Sequence, residues 1–588
     1  MSIFDVLALF GGLALFLFGM NVMGDGLTRA AGGKMERILE KLTSTPIKGV
    51  LLGAAVTAVI QSSSATTVMV VGFVNSGIMK LRQAVGIIMG ANIGTTVTSW
   101  ILSLSGIQGD SIWIQMLKPS SFSPILAVIG IAFLMFSKNE KKHDIGMIFL
   151  GFTILMYGMD AMSGAVAPLA DAPEFANVLL MFSNPILGMI VGTLFTAIIQ
   201  SSSASVGILQ ALCMTGAVTY GTALPIIMGQ NIGTCVTALL SSIGAKKNAK
   251  RAAFVHLYFN LIGTILFMIV FYSINAFVNF GVLQDMATPA GIAVIHSIFN
   301  ILTTIVLLPF GKGLEKLATL TIREKEEPVE EIAELVPLKH LDARFLEQPA
   351  FAVTQSMDVM NQMAGYSAEA LYDSLELLKD YSDEKWQRVE ALEDIVDKYE
   401  DELGTYLAKV SGKELAEEDS KRVSNGLHCI GDLERISDHA LAIAEIYAKM
   451  HKEEMVFSDK AMAELNLYSN AVYEIMSMTC KALNEDDMKI AKRIEPLEEV
   501  INGLNATIKK QHIKRLQKGK CTIELGIALE NLLNNYERVA DHCSNVAASL
   551  LQVKTDSFDT HEYLNRVKQE SNVEFQAMYS MYKEKYSL

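Results

Sequence analysis

The hydrophobic positions divide the chain into two patterns. Up to residue 310, apolar runs follow one another with short polar interruptions. Beyond 320, apolar residues recur every three or four positions among Glu, Lys, Asp and Arg. The first pattern suits segments surrounded by lipid, and the second suits helices with one buried stripe. Unbroken apolar runs lie near 5–23, 84–104, 121–137, 144–163, 222–243, 252–276 and 289–309. Each is close to the length that crosses ~30 Å of hydrocarbon, which predicts seven spans. Two further apolar stretches, 46–79 and 185–218, break near their middles at the same four residues, Gln-Ser-Ser-Ser. Their arms of about 15 residues reach roughly 22 Å as helix, so two re-entrant hairpins are predicted. Non-helical backbone at that depth is tolerated only inside protein or against a polar cavity.

The breaks belong to a longer repeat. Gly19 maps to Gly158, Pro46 to Pro185, Gly49 to Gly188, Gly53 to Gly192, and Thr57–Ala58 to Thr196–Ala197, all at an offset of 139. Gln61–Ala65 maps to Gln200–Ala204, and GANIGTTVT (Gly90–Thr98) to GQNIGTCVT (Gly229–Thr237), with no insertion between. One such match could be chance between apolar segments; two polar motifs held in one register are a duplication. The expected organisation is a membrane domain over 1–310, with repeats at about 5–104 and 144–243 and an extra helical hairpin at 252–309. A connector at 311–344, a helical domain at 345–555 and a tail at 556–588 follow. The fold class expected is all-α.

Charge adds orientation. Residues 24–82 carry Arg29, Lys34, Arg37, Lys41, Lys48, Lys80 and Arg82, whereas the matching 163–221 carries no basic residue. Between Asp144 and Ala245 the only acids are Asp144, Asp160, Asp171 and Glu174. Because basic loops stay in the cytoplasm, the two copies are expected to be inverted. Lys138–Lys142, Lys246–Arg251 and Lys312–Lys325 fit the same scheme, which places the N-terminus outside and the C-terminal domain in the cytoplasm of a cell (inner) membrane protein. The segment near Phe4–Met23 lacks a basic leader and is read as a retained span. The net charge of −14 offers no basic stripe for nucleic acid. Six cysteines without paired spacing are read as reduced thiols.

The chemistry of the breaks is neutral and oxygen-rich. Gln61, Ser62, Ser63 and Ser64, and Gln200, Ser201, Ser202 and Ser203, combine amides with hydroxyls that donate and accept. The helix starting after each break exposes backbone N–H groups that favour an anion. The same hydroxyls and free carbonyls are hard ligands for a small cation. Burying an unpaired ion costs on the order of 20 kcal/mol in the idealised limit, and neither motif contains Lys or Arg. Bound cations are the natural counter-charge; two unit charges 4 Å apart attract by ~4 kcal/mol at an effective dielectric of 20. A bland alternative is that each QSSS caps a helix and lets helices approach closely, which fits one copy better than two. VHLYFN (Val255–Asn260) and IHSIFN (Ile295–Asn300) place His256 and His296 in apolar helices. They are either relay groups or, more simply, packed and satisfied histidines.

QSSSAT and QSSSAS, each followed by GxNIGT, resemble the paired signatures of the type II sodium/phosphate cotransporters. The resemblance covers about 1–310. It implies Na⁺-coupled movement of inorganic phosphate in a bilayer, with Gln61–Ser64, Thr66, Gln200–Ser203 and Ser205 contacting phosphate or Na⁺. Asn92, Thr95, Thr96, Asn231 and Thr234 would support them. The second copy departs at Ser205 for Thr66, Val206 for Thr67 and Cys235 for Thr96, and Val and Cys are poor ligands for a hard cation.

The second half also repeats. LERISDHA (Leu433–Ala440) maps to YERVADHC (Tyr536–Cys543), and EALEDIVD (Glu390–Asp397) to EPLEEVIN (Glu495–Asn502). Acids four apart share a helix face: Glu393 with Asp397, Glu434 with Asp438, and Glu537 with Asp541, while Glu498 is matched by Asn502. Such carboxylates converge on a metal cluster or form surface charge beside Arg435 and Arg538. This half resembles the PhoU family of phosphate-responsive regulators over about 345–555, which implies a multinuclear metal site on those acids. Asn502 departs from the acid at Asp397. A second copy of the chain or a phosphate-signalling protein is a further expected partner. The alternative to a transporter is a membrane-anchored phosphate sensor without net transport. No GxxxxGK[ST] run is present, against ATP-driven pumping. The QSSS serines have no evident His–acid partner, so the protein is not read as an enzyme.

Overall fold

The computed structural model describes residues 3–31, 45–107, 111, 115–116, 118–137, 139–169, 181–323, 332–554 and 573–588. Lys34, Arg37, Lys41, Lys138, Asp171, Glu174, much of the 105–120 loop and most of the acidic connector lie outside them. The chain forms two compact units, Met1–Val329 and Glu330–Leu588. It is all-helical: the described residues contain a single isolated bridge, Thr219 to Met286, and no longer strand.

In the first unit the order is α1 (Ile3–Ala31), α2 (Pro46–Ile60), α3 (Ser63–Ser76), α4 (Leu81–Ser103), α5 (Pro119–Phe136) and α6 (Glu140–Val166). Then come α7 (Pro185–Ile199), α8 (Ser202–Cys213), α9 (Tyr220–Ser241), α10 (Lys247–Val278), α11 (Pro289–Leu307) and α12 (Gly311–Thr321). Seven of the described helices are long and apolar enough to cross a bilayer, at the seven predicted places. Several overrun the predicted spans: α1 has 29 residues, about 44 Å of helix against ~30 Å of hydrocarbon. The arms α2, α7 and α8 are apolar but too short to cross. Local chemistry fixes where they start. Thr45 and Asn184 cap α2 and α7 ahead of Pro46 and Pro185, whose missing N–H costs nothing in a first turn.

Glycines let the helices touch backbone to backbone. A Cβ on Gly53 would strike the Ile87 carbonyl of α4, and one on Gly192 the Ile226 carbonyl of α9, 139 residues on. Between α1 and α6 the contacts are reciprocal: Gly19 lies on Leu155 and Gly158 on Phe16, while Gly12 lies on Met162 and Gly151 on Met23. Each pair is the repeat image of the other, so a local twofold relates α1 and α6. Numbers fall along α6 as they rise along α1, so the two helices are antiparallel. Phe16, Met23, Leu155, Met156, Met159 and Met162 fill the core of this pairing, with Leu102 and Ala204 at its edge.

The second unit is built from α13 (Pro349–Glu376), α14 (Asp383–Ser411), α15 (Glu417–Lys452), α16 (Asp459–Glu485), α17 (Met488–Ala491), α18 (Ile494–Gln517), α19 (Ile523–Lys554) and α20 (Val573–Lys585). The long helices form two three-helix halves joined through α15 and α19. At that join Tyr447 and Tyr536 share a hydrogen bond of 2.8 Å, and Ser469 meets Tyr536 at 2.9 Å. The connector and the tail are more structured than their composition suggests. Residues 311–321 are helical and lie on α10, with Arg251 Nε donating to the Ile322 carbonyl at 3.0 Å. The described part of 332–347 forms short turns docked on α14, where Tyr399 and Tyr406 donate to the carbonyls of Glu334 and Asp342 at 2.7 and 3.0 Å. In the expected tail, 556–572 lies outside the described residues, but α20 docks on α16 and α18. Phe575, Tyr582 and Tyr586 are buried there, and Lys585 pairs with Glu474 at 2.8 Å. Buried aromatics at helical spacing outweigh the charge around them.

Candidate functional site

Each Gln-Ser-Ser-Ser is a chain break with one conformation used twice. Gln61 and Gln200 both sit at φ 59°, ψ 19°, a left-handed geometry that non-glycine residues adopt only at a cost. The next helix then starts on a serine cap: Ser62 accepts from the Ala65 N–H at 3.1 Å and Ser201 from the Ala204 N–H at 3.2 Å. Helix geometry leaves the preceding N–H groups, those of residues 63–64 and 202–203, without intrahelical partners. That is donor capacity for an anion.

The surrounding polar residues are tied in the same repeated way. Thr57 Oγ1 donates to Thr66 Oγ1 at 3.0 Å, and Thr196 Oγ1 to Ser205 Oγ at 2.8 Å. Asn92 and Asn231 donate through Nδ2 to the carbonyls of Ile88 and Ile227, at 3.0 and 3.2 Å. Their Oδ1 atoms stay available as hard ligands. Thr95 and Thr234 bond the carbonyls one turn back, both at 3.0 Å, as does Thr96 to Ile93 at 2.7 Å. Thr66, Ser205, Asn92, Asn231, Thr95, Thr234, Ser63, Ser202 and Ser203 are buried, with Gln61; Ser62, Ser64 and Ser201 are partly buried, and Gln200 is exposed.

The two breaks meet. Ser64 Oγ lies 3.5 Å from the Gln200 carbonyl and 3.3 Å from Thr237 Oγ1. In the first copy, Thr98 Oγ1 donates to Gln61 Oε1 at 2.8 Å, and the Gln61 amide nitrogen donates to the Ala58 carbonyl. Thr57, Thr196, Thr98 and Thr237 were not among the residues singled out from the sequence. All four lie in the 139-residue register, so the repeat itself was the signal. None of the residues that line this seam is charged.

Cys235, which replaces Thr96, turns to α10: its sulfur receives Asn260 Nδ2 at 3.3 Å and lies 3.5 Å from the His256 carbonyl. The two histidines differ. His296 Nδ1 meets Ser99 Oγ at 2.8 Å, a packed and satisfied arrangement. Both ring nitrogens of buried His256 lack a hydrogen-bond partner among the described residues. The position matching Ser99 in the second copy is Ala238, which has no hydroxyl to offer.

In the second unit, carboxylate oxygens of Glu393, Asp397 and Asp438 lie within 4.8 Å of one another. Burial, then the charges of Asp397 and Asp438, push the Glu393 carboxyl up to about 7. Burial and Asp438 also raise Asp397 and Glu434. Converging carboxylates of this kind suit a hard or borderline divalent cation, so these residues fit the metal that the family resemblance implies. The second half is arranged differently. Glu498 gathers with Glu495 and Glu499 and accepts from Asn502 Nδ2 at 2.6 Å. Glu537 accepts from Asn505, and Asp541 pairs with Arg538 at 3.2 Å. Glu498, Glu537 and Asp541 therefore do not form a close group like that of the first half.

This geometry defines a multi-pass helical membrane protein with an internal duplication and an attached helical bundle. The Na⁺/Pi-cotransporter family profile matches residues 15–164 and 166–284, and the PhoU domain profile matches 360–447 and 465–550. YjbB from Salmonella typhimurium, itself provisionally assigned to inorganic phosphate export, is 25% identical over 95% of this chain and 99% of its own. YqeW of Bacillus subtilis, which is uncharacterized, is 31% identical over 53% of this chain and 97% of its own. Sodium-dependent phosphate transport protein 2A of Rattus norvegicus is 22% identical over 44% of this chain and 59% of its own. The chain belongs to the Na⁺/Pi cotransporter family, a family of transporters, and carries a PhoU domain behind its membrane unit.

Proposed function

We propose that the protein is a secondary transporter that moves inorganic phosphate with Na⁺ by alternating access, and that its PhoU-like half regulates the flux from the cytoplasm. The observation that carries this reading is the contact between the two breaks: identical left-handed turns with identical serine caps approach each other through Ser64, Gln200 and Thr237. Inverted repeats with broken helices meeting at mid-membrane are how such transporters build a substrate site. The antiparallel pairing of α1 with its repeat image α6 supports inversion, and the basic loops favour an N-terminus outside and a PhoU-like half inside. The free N–H groups after each break suit the phosphate oxygens. Gln61–Ser64, Thr66, Gln200–Ser203 and Ser205 contact phosphate or Na⁺, and Asn92, Thr95, Thr96, Asn231 and Thr234 support them.

With no Lys or Arg in the seam, Na⁺ is the counter-charge, and coupling follows from electrostatics. One net charge crossing 100 mV supplies ~2.3 kcal/mol. Glu393, Asp397, Glu434 and Asp438 hold the regulatory metal, with a weaker or different site near Glu498. The test is ³²P-phosphate flux in vesicles, measured in both directions with and without a Na⁺ gradient. Na⁺-dependent flux that is lost in Gln61→Ala and Gln200→Ala is expected. Flux indifferent to Na⁺ overturns the coupling, and phosphate binding without flux would leave a sensor.

A further inference from the structure

The two copies share their serine caps and the Thr57–Thr66 and Thr196–Ser205 bonds, but one trio of identical residues is bonded differently: Gln61, Ser64 and Thr98 in the first, Gln200, Ser203 and Thr237 in the second. Thr98 holds Gln61 within its own copy at 2.8 Å. Its image Thr237 instead reaches across the seam, with Oγ1 3.3 Å from Ser64 Oγ, while also bonding the Thr234 carbonyl at 2.8 Å. Ser64 in turn approaches the Gln200 carbonyl. The images of these partners are idle: neither the Gln200 amide nor Ser203 Oγ has a hydrogen bond to another described residue, and Gln200 is exposed whereas Gln61 is buried. The asymmetry reaches the packing as well, for α2 rests on α1 while its image α7 makes little contact with α6. By contrast α3 packs on α9 and α8 on α4, so the frame around the seam keeps its twofold.

A twofold frame that carries unequal contacts has a second arrangement with the roles exchanged. We propose that Thr98 and Thr237 are positioning residues that trade partners between the two access states, an inference that rests on the transport reading above. In the state described, Thr98 secures Gln61 and Thr237 clasps Ser64. In the opposite state, Thr237 secures Gln200 and Thr98 clasps Ser203. The seam then keeps the same set of hydroxyl–amide and hydroxyl–hydroxyl contacts in both states. The exchange sacrifices no net hydrogen bond, as a bistable element requires.

The test places cysteine pairs in the full-length protein in membranes, with a protease site added in the loop between α4 and α5. Disulfide formation requires Cβ atoms about 3.5–4.5 Å apart, and after cleavage each linked pair holds the two fragments together. Both S64C/T237C, which reads the state described, and S203C/T98C, which reads the exchanged state, are expected to link in one preparation. Adding Ser203→Ala to the first pair removes a bond made only in the exchanged state and should speed its linking about threefold to tenfold. Linking of the first pair alone, of neither pair, or no response to Ser203→Ala overturns the exchange. Because a cysteine pair can disturb folding, flux is also measured in single variants: Thr237→Val is expected to lose at least about tenfold and Thr237→Ser to retain flux. Equal flux in the two overturns the proposal. Flux by the unaltered chain separates the two claims. Na⁺-driven flux with linking only at Ser64 and Thr237 removes the exchange and leaves transport, whereas linking at both pairs without such flux removes transport.

Discussion

Replacing Gly90 by alanine would drive a methyl group into the Val50 carbonyl and to 2.9 Å from the Ala54 nitrogen; Gly229→Ala would do the same at the Met189 carbonyl and the Thr193 nitrogen, also 2.9 Å. Both obstacles are backbone, so no rotamer change relieves them, and α2 must move away from α4, or α7 from α9. Overpacking costs about 1–3 kcal/mol, with a rigid backbone clash at the upper end. Alanine returns about 1 kcal/mol of helix propensity. The net loss is therefore about 2 kcal/mol, which corresponds to about 3 °C for a unit spanning Met1–Val329, at ~2.1 cal/mol/K of unfolding entropy per residue. Gly365, in the interior of α13, has nothing within 4 Å of an added Cβ, so Gly365→Ala should gain about 0.5–1 kcal/mol. The assay is thermal unfolding of the full-length protein in detergent. With Trp386→Phe in the background, the remaining tryptophans, Trp100 and Trp113, both lie in the first unit. Tryptophan fluorescence then follows that unit, and circular dichroism follows the whole chain. A Gly90→Ala protein that melts at or above the parent refutes the claim that α2 and α4 meet backbone to backbone.

Three further outcomes are expected. Mn²⁺ at about one hundred times its dissociation constant should stabilise the second unit by about 2.7 kcal/mol; Glu393→Gln with Asp438→Asn should abolish the shift in the full-chain melt, and a shift that survives both changes places the metal elsewhere. Tyr536→Phe removes the hydroxyl shared by Tyr447 and Ser469 and should lower stability by about 1–3 kcal/mol, read by denaturant titration; an unchanged midpoint denies that bond a role. Ending the chain before residue 573 strips Phe575, Tyr582 and Tyr586 from α16 and α18 and should lower the melt of the second unit by several degrees; an unaltered melt means α20 is dispensable.

The α20 case shows where composition misleads. The last thirty residues read as a charged tail because their polar residues outnumber the apolar ones, yet three aromatics at helical spacing find a groove that exists only once α16 and α18 have packed. The connector behaves likewise: Glu334 and Asp342 look like linker residues until α14 presents Tyr399 and Tyr406 to their carbonyls.

Sequence alone determined where the membrane helices lie, the two breaks and the register of the duplication, because each rests on local spacing: apolar runs against bilayer thickness, proline and serine at helix starts, one offset maintained throughout. It also marked the glutamines and serines of the seam, though not Thr98 and Thr237. What it could not decide is which copy's glutamine is held and which is free. Gln61 and Gln200 carry the same neighbours and the same backbone angles, so nothing local distinguishes them. Only the tertiary arrangement, which gives Thr98 its own copy's amide and gives Thr237 the other copy's serine, separates them. The acids divide for the same reason: matched motifs draw Glu393, Asp397 and Asp438 together in one half, while Asn502, Asn505 and Arg538 take up their counterparts in the other. Partners across helices are set by packing, which the spacing along a single helix does not encode.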